Sequence, residues 1–362
     1  MERRKFLQRL ALLIGGSLFT PEQLFSGKQH FPQKELWLSL VDYARWSPSP
    51  HNIQPWKLKV ISETSAELHY SADRLFPVSD KDNRFTYIAM GIFIESLSVA
   101  ASNYGYQLDF ISNDARILEG PSSQKSLGNL VLSIENVTPD FDKELLKQRK
   151  TSRLHYQPFP VKDPLLYSLK KIAEQSDHTF EFTSDASRVE EILKLNRDAL
   201  FIDLNEAPVR KELDTWLRYS NKEAETKKDG LWYHCMNFPG RLMRSFFHHP
   251  HLYNHGLIKK VIDKYYLNTM DGTKTIGWIK GKTETPSERI EAGRMLARFS
   301  LELTKNNAFM HPFGSVITNQ SAHLRFSEIV NDPSEDTWFL MRLGYSNEPP
   351  RSYRLDAGEL FI

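Results

Sequence analysis

The ten residues Ser47-Pro48-Ser49-Pro50-His51-Asn52-Ile53-Gln54-Pro55-Trp56 constrain this chain more than any other segment. Upstream, Leu36, Leu40, Val41 and Ala44 recur at helical spacing. A helix therefore runs into Ser47 and stops there, because proline cannot continue it. Downstream, Trp56, Leu58 and Val60 alternate with lysines, the pattern of a half-buried strand. Between the two lies a turn that proline holds rigid and that carries hydroxyls, an amide and backbone N–H groups.

The rest of the chain mixes both periodicities without a regular βαβ alternation, so an α+β fold is expected rather than a doubly wound sheet. Ala66 to Tyr70 reads as the partner of the first strand. A long helix is predicted over Arg84 to Tyr104, strands over Gln107–Ser112 and Gly128–Asn136, and a helix from Asp140 to a basic cluster at Arg149. A second block follows: helix Asp163–Gln175, strand Thr179–Thr183, helices Ser187–Asn205, Val209–Tyr219, Ser287–Asn306 and Ala322–Val330, and strand Trp338–Leu343. Between Asn221 and Pro286 lies a stretch rich in glycine, histidine and aromatic residues, with weak periodicity. It is expected to be an insertion serving as a lid. The length, 362 residues, suits two domains or one domain built from two similar halves.

Composition excludes several function classes. Lys and Arg number 47 and Asp and Glu 45, so no strongly basic face is expected for nucleic acid. A single cysteine, Cys235, leaves no disulfide framework and no cysteine-cluster metal site. Gly277-Trp-Ile-Lys-Gly281-Lys282-Thr283 is one residue short of a phosphate loop, and no G-x-G-x-x-G follows a strand. His248, His249, His251 and His255 offer a zinc reading, of a hydrolase. Pro250 opposes a continuous helix there, and a surface or lid segment is the simpler interpretation.

The N-terminus reads as an address. Arg3-Arg4-Lys5-Phe6-Leu7 precedes an apolar run from Leu10 to Phe19, too short for a comfortable membrane span. It is similar to a twin-arginine export signal, with Glu2 before the pair. Residues 1–33 are thus expected to be a signal and linker, and no stable membrane span is expected. The implied partner is the twin-arginine export machinery, and the implied location is the periplasm or beyond, or the membrane if the signal stays uncleaved.

Two short stretches carry the chemistry. The turn grips a ligand at little entropic cost. Its Asn and Ser groups match the pyrimidine edge of a flavin, which alternates acceptors with one N–H. Taken alone, it also reads as a plain helix stop. In Arg149-Lys150-Thr151-Ser152-Arg153, cations and hydroxyls within five residues suit a dianionic phosphate, or else a solvated surface.

Together these stretches resemble the nitroreductase family of FMN flavoproteins. Pro48 to Trp56 matches Pro-Ser-x-x-Asn-x-Gln-Pro-Trp except that Pro50 stands where many members have a second serine. Arg149 to Arg153, with Pro160-Val161 downstream, resembles the family's basic motif. Ala292-Gly293 in a helix to Asn306, then His311-Pro312-Phe313-Gly314, is similar to the flavin-supporting helix and the loop that offers a backbone N–H to flavin N5. Leu343-Gly344-Tyr345 with Glu348-Pro349, Arg351 and Arg354 resembles the closing segment. The order is unusual, since the turn here precedes the basic motif by about a hundred residues. This resembles the fused, lid-bearing branch of the family. It implies two degenerate nitroreductase-like halves, 34–140 and 141–362 with the insertion 221–286, forming a pseudo-dimer around mostly antiparallel sheets.

The resemblance implies one FMN shared by both halves. Arg149, Thr151 and Arg153 would bind phosphate, with Arg351 or Arg354 adding charge. Ser47, Pro48, Ser49, Asn52 and Gln54 would hold the ring edge, and Phe313 or Gly314 would reach N5. No catalytic side chain is expected, because the cofactor carries the redox step. The implied activity is ping-pong, two-electron transfer from a small-molecule donor to a nitroaromatic- or quinone-like acceptor. A non-catalytic FMN-binding or storage protein, with the lid over the flavin, is the alternative.

Overall fold

The computed structural model describes residues 33–113, 116–117, 125–135, 137–250, 256–332 and 336–362. The export-type N-terminus, His251 and His255 lie outside the described residues. Chain order begins with α1 (Gln33–Ala44), β1 (Trp56–Ser62), β2 (Ser65–Tyr70), α2 (Arg84–Ser102), β3 (Tyr106–Ser112) and β4 (Ser126–Ile134). The four strands form an antiparallel sheet in the order β1-β2-β4-β3. After α3 (Glu144–Gln148) and α4 (Asp163–Glu174) come β5 (Thr179–Thr183), α5 (Ala186–Asn205), α6 (Ala207–Thr215), β6 (Leu217–Arg218), α7 (Asn221–Lys227), β7 (Leu231–Trp232), α8 (Gly240–His248) and α9 (Gly256–Asn268). The chain continues through β8 (Thr275–Lys280), α10 (Pro286–Lys305), β9 (Phe309–Pro312), α11 (Gly314–Thr318), α12 (Gln320–Val330) and β10 (Thr337–Gly344). A second antiparallel sheet runs β5-β8-β10-β9, and β6 and β7 pair in parallel. The α+β architecture with mostly antiparallel sheets is the expected one.

The sequence reading of the insertion needs one correction. Its last part, predicted to belong to a lid, is β8, an inner strand of the second sheet. Thr275 to Ile279 are all buried, so the strand shows no inside–outside alternation and its periodicity is silent. Gly277 is required there, because a Cβ would run into the Phe180 ring. β9 was not predicted either. It is four residues long, and Pro312 is tolerated because the strand lies at the sheet edge.

α2 is apolar on nearly every side and is buried on nearly every side, as such a helix must be. Its length and composition would allow it to cross a membrane, but 83% of it is buried inside the molecule. It follows the first hairpin in sequence, yet Ile88 and Ile92 pack into the core of the second sheet. There they meet Leu165 and Leu169 of α4, Met295 and Phe299 of α10, and Trp338 of β10. On the other side, Phe93 stacks on Trp56 of β1 with ring centroids 4.7 Å apart.

The crossing of α2 and α10 depends on two glycines. A Cβ on Gly91 would overlap the carbonyl oxygen of Ile290, and a Cβ on Gly293 that of Ile88. One turn along, Glu95 is 2% exposed and accepts from Arg294 at 3.0 Å and Arg298 at 2.5 Å. Two guanidinium groups from the facing helix thus compensate the buried carboxylate.

The C-terminal segment returns to the first sheet. Phe361 forms a parallel bridge with Leu58, and the Ile362 N–H donates to the Leu58 carbonyl at 2.9 Å.

We expect Gly293→Ala to lower stability by about 1–3 kcal/mol through overpacking at the crossing. A urea midpoint equal to that of the parent protein would refute the close approach.

Candidate functional site

The predicted turn forms, and it is strained. Pro50–Asn52 is a single 3-10 turn, and the Ser49 hydroxyl accepts from the Gln54 N–H at 3.0 Å. His51, Asn52 and Gln54 all take positive φ (45°, 59° and 52°), a conformation that costs non-glycine residues about 1 kcal/mol or more each. Distant segments hold it. The Asn52 amide donates to the carbonyls of Gly230 (3.2 Å) and Tyr353 (3.1 Å). The Gln54 amide donates to the Lys228 carbonyl at 2.9 Å and accepts from the Leu355 N–H at 2.9 Å. The Ser47 hydroxyl donates to Ser96 on α2 at 2.8 Å.

Most polar groups expected to face a ligand are therefore engaged within the protein. The exception is the Asn52 Oδ1, which is buried and has no partner among the described residues. An acceptor left in this state fits a ligand N–H.

The segment over the turn belongs to the insertion. Asp229 accepts from Arg74 at 3.1 Å and from Arg218 at 2.5 Å, and Arg74 also donates to the Ile53 carbonyl at 2.7 Å. An ion-paired carboxylate thus fastens residues 228–230 to the first sheet's loops.

Three predicted arginines converge beside the turn. Arg149 ends α3, while Arg351 and Arg354 come from the returning C-terminal segment. Arg351 lies 4.2 Å and Arg354 5.9 Å from the Trp46 ring, and Arg354 Nη2 reaches the Ser47 carbonyl at 3.5 Å. Arg149 Nε and Nη1 and Arg354 Nε are buried without hydrogen-bond partners among the described residues. Burial, reinforced by mutual repulsion, pushes Arg149 down to about 10 and Arg354 to about 9. Both remain charged at neutral pH. The nearby carboxylates are committed elsewhere: Asp42 to Arg45 and Lys147, and Glu348 to Lys150.

A small cavity of about 10 Å³ opens between Ser47, Pro48, Ile92, Ser96, Arg149 and Ser300, drawing its lining from both central helices. Unpaired buried guanidinium donors without a counter-charge fit a dianion such as a phosphate monoester. Room for that group requires the lining to move apart, because a space of this size holds about one water molecule.

The basic stretch does not act as a single cluster. Thr151 bridges Met310 of β9, and Ser152 is fully buried and shares a hydrogen bond with Ser346 at 2.7 Å. Arg153 donates to the Cys235 carbonyl at 3.4 Å. It lies within electrostatic reach of His51, His311 and Arg342. The Cys235 thiol, pushed up by burial, feels both Arg153 and Arg354. Arg354 is within electrostatic reach of Arg149, and Arg153 of His51 and His311.

The loop after β9 departs from expectation. The Phe313 N–H donates to the Leu340 carbonyl at 2.8 Å and its ring lies in an apolar cluster, so it is not available to a ligand. Sheet pairing, extended one residue beyond β9, uses it. Gly314 is exposed at the first position of α11.

His311 and His51 were missed, since a lone histidine carries no spacing signal. His311 Nδ1 accepts from Arg342 Nε at 3.2 Å, which fixes the neutral ring's proton on Nε2. His248, from the zinc reading, faces Asp214 at 3.7 Å instead.

No family model matches the chain. It is 28% identical over 136 residues to the Mycobacterium tuberculosis protein named "Putative NAD(P)H nitroreductase", covering 36% of this chain and 37% of that one. It is 24% identical over 207 residues to the Serratia protein named "Probable NAD(P)H nitroreductase PigM", covering 55% of each. The chain thus spans about a third to a half of the length of these curated relatives. A nitroreductase with bound FMN from Desulfitobacterium hafniense superposes with a TM-score of 0.36 at 12% identity, covering 60% of this chain and 96% of that one.

Burial, with Arg153 nearby, holds His51 down to about 4. Between that value and the ordinary 6.5 the unfolded chain binds the extra proton, so this contribution to stability is intact above about pH 6.5 and is lost as pH falls toward 4. We expect His51→Gln to flatten that acid limb in melts taken across the window. An identical pH profile would contradict the assignment.

Proposed function

We propose that this chain is an FMN-dependent oxidoreductase of nitroreductase type, built from two degenerate halves, 34–140 and 141–362, that share one cofactor site. One observation carries the reading: buried, unpartnered guanidinium groups of Arg149 and Arg354 beside Ser47, the first of them lining a small cavity between both central helices. The turn motif, the basic motif and the similarity to proteins named NAD(P)H nitroreductases support it.

When bound, FMN supplies two-electron redox chemistry. The residues would act on it as follows. Arg149 and Arg354, with Arg351 behind them, would hold the phosphate by charge-assisted hydrogen bonds. Asn52 Oδ1 would accept the ring N–H. Arg153 would lie at the ring end and stabilise negative charge there. Ser47, Pro48, Ser49 and Gln54 would shape the turn rather than donate, and Thr151 would keep the basic stretch on β9. The proposed donor is NAD(P)H or another small reductant, and the proposed acceptor is nitroaromatic- or quinone-like. Residues 1–33 are proposed as a twin-arginine export signal, giving a periplasmic location.

A specific observation favours a second reading, a protein that stores flavin behind a lid. Gly230 and Lys228 bind the turn directly, and Asp229 fastens that segment to Arg74. Both readings require a yellow protein on native purification. Bleaching of its absorbance by NADH or NADPH, followed by reoxidation with a quinone, supports the oxidoreductase. A spectrum that dithionite bleaches and neither nucleotide changes supports storage. Arg354→Ala is expected to weaken FMN binding about tenfold or more, from loss of a charge-assisted contact worth roughly 1.5–3 kcal/mol. Unchanged affinity in a fluorescence-quenching titration would remove Arg354 from the site.

A further inference from the structure

The insertion presents a second feature, independent of the flavin reading. α9 turns Ile262 inward against Leu204, and Tyr266 inward, where its hydroxyl accepts from Asn196 at 2.9 Å. Its opposite face is apolar and open. Leu257 is 79% exposed, Val261 67% and Ile258 50%, and Tyr265 continues the stripe at the same four-residue spacing. Lys260 and Lys264 flank that stripe, both exposed and without a carboxylate partner among the described residues. The one acid of the helix, Asp263, lies on the other side, paired with Lys259 at 2.6 Å.

A helix with an exposed apolar stripe edged by lysines lies in the plane of an anionic bilayer surface, its side chains in the acyl boundary and its ammonium groups among the phosphates. A second copy of this chain is a poorer occupant, because the same face brings more lysines and no carboxylate to meet them. We propose that the outer face of α9 docks on an anionic lipid surface, with Leu257, Ile258, Val261 and Tyr265 entering the interface and Lys260 and Lys264 contacting headgroup phosphates. The docked element belongs to the same insertion whose Lys228–Gly230 segment covers the turn.

The test is co-sedimentation of the full-length protein with vesicles of phosphatidylcholine alone and of phosphatidylcholine mixed with phosphatidylglycerol. Binding to the anionic vesicles is expected, weakening as salt rises. Lys260→Glu with Lys264→Glu, and separately Leu257→Ser with Val261→Ser, should each lower the vesicle affinity about tenfold or more. All four positions are exposed, so circular dichroism melts should match the parent. Residues 1–32 are common to every variant, so their own affinity for lipid cancels. Parent-like binding by both double variants overturns the proposal. So does absence of vesicle binding together with a dimer, seen in sedimentation velocity, that Leu257→Ser with Val261→Ser dissolves.

Discussion

The close approach of α2 and α10 at Gly91 and Gly293 is the contact on which the rest of the molecule depends. Each glycine leaves room for a carbonyl of the other helix, and no larger residue fits without moving a backbone. That proximity places Ile88 and Ile92 in the second sheet's core while Phe93 faces the first. It also brings Arg294 and Arg298 onto Glu95, so an otherwise prohibitive buried carboxylate becomes a fixed point between the helices. The cavity beside Arg149 follows from the same geometry. Its walls include Ile92 and Ser96 from one helix and Ala297, Ser300 and Leu301 from the other, so widening the crossing would dismantle it.

Against that rigid background, the arginine cluster is an electrostatic imbalance. Arg45 and Lys150 in the same region have carboxylate partners, whereas Arg149 and Arg354 do not. Fold stability alone would favour apolar replacements of similar size, since a buried unpaired charge is a net cost. Trp46 moderates the cost for Arg354: its ring lies 5.9 Å from that guanidinium, which stabilises a cation without neutralising it. The remaining imbalance is what the proposed phosphate would offset.

Much of this was legible in the sequence, for identifiable reasons. α1, β1 and β2 announce themselves through clean periodicity and α2 through its long apolar run, and the prolines at 48, 50 and 55 mark the turn. The arginines that converge beside the turn were also visible as residue types. Their division was not, because it depends on Thr151 pairing with β9, an edge strand too short to show a pattern. β8 escaped because burial on both faces erases alternation. Arg342 reads as a charge interrupting an apolar strand. Its role became visible only in three dimensions, where it spans His311, Thr273 and the Leu154 carbonyl with no carboxylate partner among the described residues.

The strained turn shows why the site belongs to the completed fold and to neither sheet alone. Three departures into positive φ within four residues would not persist in an isolated hairpin, since each is unfavourable for a residue bearing a Cβ. What holds them is a set of contacts from the far end of the chain: Leu355 to Gln54, Asn52 to Tyr353, and Arg45 to the Leu355 carbonyl. These contacts close loops of about 300 residues, so they form after both sheets have brought the chain ends together. The returning segment that delivers Arg351 and Arg354 is the one that locks the turn. Shaping the turn and gathering these arginines are therefore a single structural event.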